Sequence, residues 1–123
     1  KVIYDIKGII QDEGILRECV GDLVDSINSI INARQVEKDR ISLMFEESEE
    51  ILVAVEEILF HWNSIRKILG KYMYSSVYRM NSISDCLASG DRIMESEERF
   101  ITLLINKLEH LSKLRMKDGD SII

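Results

Sequence analysis

The sequence contains no proline among its 123 residues. Average usage would supply roughly six. Proline is the strongest interruption of a helix and a common turn residue. Its absence argues against a loop-rich sandwich or a small secreted scaffold and favours long helices. Glycine is also sparse, at six residues. The two cysteines, Cys19 and Cys86, are too few for a disulfide framework, so a reduced intracellular compartment, cytoplasmic or nuclear, is expected, with a single disulfide as the alternative. A membrane span needs about 20 consecutive apolar residues, and the densest run, Ile51–Phe60, is broken by Glu56 and Glu57. No signal or transit peptide is visible. The first residue is lysine, and the chain reads as a fragment of a larger protein or a processed form.

What is present suits a folded domain. Apolar residues make up 46% and charged residues 31% of the chain, enough apolar surface for a core. The net charge is -6 and is unevenly placed. Residues 1–61 carry six basic and fourteen acidic side chains, and residues 62–123 carry ten basic and eight acidic. An acidic balance disfavours nonspecific nucleic-acid binding, which works by neutralising phosphates. The asymmetry suits packing of the acidic half near the basic half, within one chain or between two.

The apolar residues follow a seven-residue rhythm. From Val2 to Tyr72, alternating steps of four and three meet twenty-one positions, of which seventeen are apolar. The exceptions are Glu13, Arg34, Glu37 and Ser48. Such spacing gathers side chains on one seam of a helix. The position after every second seam residue is also mostly apolar, as at Ile10, Val24, Ile31, Leu52 and Leu59. A stripe this wide fits a helix with at least two neighbours. The fold class expected is therefore all-α, an antiparallel bundle of three to four helices with coiled-coil heptads, and possibly one very long helix.

The breaks are read from polar stretches and glycines. Residues 34–40 form the most polar segment. It is either a turn before a second helix capped by Asp39, or part of one continuous helix, because the heptad phase is the same on both sides. Gly70 suits a helix C-terminus. Ser89-Gly90-Asp91 suits a further break, with Asp91 as the cap of the last helix. Helices are accordingly expected at about 2–33, 38–69, 71–88 and 91–117, in a single domain over 1–117 with a frayed tail at 118–123. A second stripe is expected through Met94, Ile101, Leu104, Leu108 and Leu111. The glycines at 8, 14 and 21 weaken the first helix, which is expected to bend at Gly14.

Catalytic and metal patterns do not assemble. His61 is followed by Trp62 and His110 by Leu111, neither of which leaves the room a phosphotransfer partner needs. A di-iron bundle uses Glu-x-x-His pairs, but Ile58 and Lys107 stand three residues before the two histidines. No zinc spacing, phosphate loop or nucleophile elbow is present. Paired carboxylates such as Glu46-Glu47 and Glu97-Glu98 lie in charged helical runs, with no apolar pocket to shift a pKa. The reading is a non-enzymatic protein without cofactor or metal.

Three groups of residues are candidates for interaction. Ile51, Val55, Ile58, Trp62, Ile65 and Leu69 form the strongest stretch of the seam, and are the expected oligomer interface. Arg34 and Glu37 are charged residues on the seam that would set register, or would mark a turn. Met73, Tyr74, Val77 and Tyr78 lie off the seam and form a candidate partner patch. The expected function is self-association, as a dimer by preference, or a scaffold segment of a larger intracellular protein. The alternative is a monomeric helical adaptor that holds a partner helix in an apolar groove.

Overall fold

The computed structural model describes the backbone of residues 2–44, 49–75 and 80–122, and the side chains of 3–12, 14–44, 49–71 and 84–114. The described residues form four helices, α1 (Val2–Gln11), α2 (Glu13–Met44), α3 (Glu49–Ser75) and α4 (Met80–Ile122). Among the described residues only Asp12 lies outside a helix. The all-α bundle follows.

Asp12 makes the first break. Its side-chain Oδ1 accepts the N–H of Ile15 at 3.2 Å, and its carbonyl accepts the N–H of Leu16 at 2.9 Å. This is an N-cap, which satisfies a donor that the first turn of α2 would leave unpaired. The expected bend at Gly14 is thus a true interruption two residues earlier.

Residues 34–40 do not turn. Helix α2 runs through them to Met44, so Asp39 is interior and caps nothing. Polar contacts along and across the helix hold the stretch. Gln35 reaches Asp39, one turn on, at 3.3 Å. Lys38 pairs with Glu56 of α3 at 3.2 Å. The fully continuous alternative also fails, since α3 is a separate helix that packs back on α2. Glu49 and Glu50 stand in its first turn, where the helix dipole favours anions.

Neither expected glycine break occurs. Gly70 lies inside α3, and a Cβ there would meet nothing within 4 Å. Gly90 lies inside α4 and is buried. A Cβ at Gly90 would sit 3.3 Å from two carbons of the Lys7 side chain. The glycine therefore lets α1 approach α4 closely, and Asp91 beside it pairs with Lys7 at 2.5 Å rather than capping a helix. Helix α4 continues through Asp118-Gly119-Asp120 to Ile122.

Helix α3 is the centre of the bundle. It packs against α2 on one side and α4 on the other, and α1 packs against α2 and α4. Asn28 accepts from Arg66 at 2.9 Å, while Lys38 pairs with Glu56, so α2 and α3 are antiparallel. Glu57 accepts from Arg99 at 2.5 Å and from Ser96 at 3.3 Å. Ile51 borders the same groove as Leu103 and Lys107, so α3 and α4 are antiparallel too. Ile51, Val55, Ile58, Trp62, Ile65 and Leu69 are all at most 4% exposed, and Ala54 and Leu59 widen the buried face. The wide stripe serves two neighbours within one chain.

The phase of α4 differs from expectation. Its buried line runs through Cys86, Ile93, Ser96 and Phe100, whereas Ile101, Leu108 and Leu111 are 38–50% exposed. The core face lies one residue earlier than the expected stripe. The cause is that α4 has apolar side chains on two adjacent faces. At 100° per residue, Ile101, Ile105 and Leu108 stand about a quarter turn round from Ile93 and Phe100. Periodicity alone does not say which face meets α3.

Candidate interaction surfaces

The expected oligomer seam is filled by the chain's own helices. Ile51, Val55, Ile58, Trp62, Ile65 and Leu69 form its core, and burying such side chains contributes about 1.5–3 kcal/mol each. Their surface is not available to a second molecule without unfolding the bundle. The structure does not bring the partner patch into view. Val77 and Tyr78 lie outside the described residues. Met73 and Tyr74 belong to α3, but their side chains lie outside them as well.

Arg34 and Glu37 lie on a helix and meet each other. Nη1 of Arg34 donates to Glu37 Oε2 at 2.6 Å, and Nη2 donates to Glu97 of α4. Burial disfavours the guanidinium charge, but the hydrogen bonds and charges of Glu97 and Glu37 outweigh it and hold the pKa above its ordinary value. The Phe100 ring lies 6.0 Å below the guanidinium carbon, a cation–π distance. This polar clasp joins α2 to α4, which among the described residues make no close backbone approach to each other. Sequence reasoning missed Glu97, since nothing in periodicity links residues 63 positions apart.

Beside the clasp is a groove of about 700 Å³. Ile30, Ala33 and Arg34 of α2 form one wall. Met94, Glu97, Glu98 and Ile101 of α4 form the other, with Ile3 and Tyr4 of α1 nearby. Trp62 also lines it. The tryptophan is 3% exposed and its Nε1 has no hydrogen-bond partner, which costs about 1–3 kcal/mol where such a group stays buried.

The second surface is the end of α4. Glu49 and Glu50, in the first turn of α3, border one groove with Asn106, Lys107 and His110 of α4. Helix α4 then runs on for about 18 Å to Ile122. Leu114 stands in the register of Cys86, Ile93 and Phe100, spaced by sevens. It is 46% exposed, beyond the first turn of α3, whereas those three are at most 5% exposed. Leu111 is exposed there too, and Ile101, Ile105 and Leu108 are exposed before it.

The histidines lie apart. His61 packs edge-on to Phe60 with ring centroids 5.2 Å apart. Desolvation first, then the charge of Arg92, lowers its pKa against the pull of Glu57. His110 is exposed on α4. Among the described residues no group of three or more His, Cys, Asp or Glu side chains converges as a metal site, and no helix is long and apolar enough to cross a membrane. No protein-family model matches the chain, and no curated protein or solved structure gives a significant match.

Proposed function

We propose that this chain is a non-enzymatic protein-interaction module that works by self-association, as a helical scaffold segment of a larger intracellular protein. The observation that supports this reading is the uncovered apolar surface of α4. Ile101, Ile105, Leu108, Leu111 and Leu114 are each 38–50% exposed on one helix, and contiguous exposed apolar surface marks contact sites. The α3 seam makes the bundle, and the α4 surface makes the contact. Light scattering on a size-exclusion column tests the reading. A mass above the 14.2 kDa of one chain, falling on dilution, is expected. A strictly monomeric mass across micromolar concentrations overturns it.

The groove between α2 and α4 favours a second reading, a monomeric adaptor that receives a partner helix. Its apolar lining, from Ile3, Ile30 and Ile101, suits the apolar face of an amphipathic helix.

A further inference from the structure

Trp62 is the one tryptophan of the chain. It is 3% exposed, and its Nε1 is closed to water and has no hydrogen-bond partner among the described residues. A buried indole N–H is ordinarily paired. Here the donor belongs to a residue that lines the groove of about 700 Å³ between α2 and α4, a volume within the range of small-molecule sites. Ile30 of α2 and Ile93, Met94 and Ile101 of α4 give the groove its apolar contact. The charged groups on its walls offer a ligand little. Arg34 already donates to Glu37 and Glu97, and Glu98 adds a further acid to the lining.

We infer that this groove binds a neutral, largely apolar small molecule with one hydrogen-bond acceptor, such as an aryl ketone, and that the acceptor takes the Trp62 N–H. The apolar walls disfavour a ligand with a net charge, which would lose its hydration there. An anion would also meet Glu97 and Glu98. A partner helix would fill the groove with hydrocarbon side chains, but its own carbonyls are paired along the helix, so the indole would stay unanswered. A free carbonyl on a compact ligand answers it. The lining side chains part slightly for that contact, and Met94, unbranched and with three rotatable bonds, is suited to give way. The inference stands independently of self-association.

Titration of the full chain, labelled with nitrogen-15 and followed by NMR, tests it. A single tryptophan gives one indole N–H cross-peak, so the readout belongs to Trp62 alone. Benzophenone is the probe. Diphenylmethane is its match without the acceptor, and 4-benzoylbenzoate is its anionic counterpart. Benzophenone is expected to move the indole proton downfield to saturation, and to bind about five- to tenfold more tightly than diphenylmethane, the worth of one hydrogen bond. 4-Benzoylbenzoate is expected to bind more weakly than benzophenone. Ala33→Phe adds a ring to the groove wall from an exposed position, and is expected to abolish the shift while helicity is kept. An indole peak that does not move, equal affinities for benzophenone and diphenylmethane, an anion that binds as tightly as the ketone, or an Ala33→Phe variant that binds like wild type overturns the proposal.

Discussion

Helix α3 and the last turns of α4 are built from similar side chains at similar spacing, yet their surroundings are opposite. Ile58, Ile65 and Leu69 of α3 are fully buried, while Leu108, Leu111 and Leu114 of α4 are 38–49% exposed. The difference lies in what stands across from them. Helix α3 has α2 on one side and α4 on the other. Among the described residues, Leu111 and Leu114 lie beyond the first turn of α3 and are left uncovered, while Leu108 lies on the other face of α4. An apolar stripe states that a helix has a partner. It does not state whether that partner is in the same molecule.

Cysteine labelling breaks this comparison most sharply, because one register position occurs in both environments. Cys86 is 1% exposed, and burial, with the nearby Asp85 charge, pushes its thiol up to about 12. Leu114 occupies the same heptad register where α4 is uncovered. In a Cys19→Ser background, a thiol introduced by Leu114→Cys is expected to react with an alkylating reagent on the order of 10³-fold faster than Cys86, which waits for global opening. Similar rates would mean that α4 is not held along Cys86–Phe100.

Truncation applies the same contrast to stability. Ile58→Ala is expected to cost about 2–5 kcal/mol in chemical denaturation, the range for a fully buried aliphatic side chain. Leu114→Ala is expected to stay within about 0.5 kcal/mol when unfolding is measured on the dissociated chain. Fluorescence of Trp62, the single tryptophan, reports the transition from inside the core. Equal costs at the two positions would contradict the assignment of core and contact.

The polar clasp gives a smaller effect. Arg34→Met leaves Glu37 and Glu97 without their shared cation, and both arginine and Glu97 side chains are 23% exposed. The loss expected is about 1–2 kcal/mol, between the values for surface and buried pairs. Adding Glu97→Gln is expected to recover part of it by removing one of the stranded charges. A loss unaffected by Glu97→Gln would place the clasp outside the energetics of the bundle.

The parts of this fold that were legible in the sequence are those decided by local pattern. The apolar spacing of α2 and α3 marks residues that are buried, Ile27, Ile41, Ile51, Val55 and Ile58 among them. The helix limits were less legible, because glycine and charge have two meanings. Gly90 reads as a stop, but serves as the small residue where α1 crosses α4. Arg34 to Arg40 reads as a turn, but its charges are satisfied by one another and by Glu56 and Glu97 on other helices. The cap at Asp12 was visible as a residue type but carried no Glu or Gln three positions on, where Ile15 stands, to signal a capping box. The exposed apolar face of α4 was obscured for a related reason. Its two apolar faces overlap in sequence, and only the position of α3 separates the face that is covered from the face that is not.

The central claim is that copies of this chain meet through the exposed face of α4 while the α3 seam stays inside each bundle. Sedimentation equilibrium of the full chain carrying Ile105→Asp tests it most directly. The account predicts a folded monomer with wild-type helicity and Trp62 emission, against a wild-type dimer. A variant that still dimerises with wild-type affinity would contradict it.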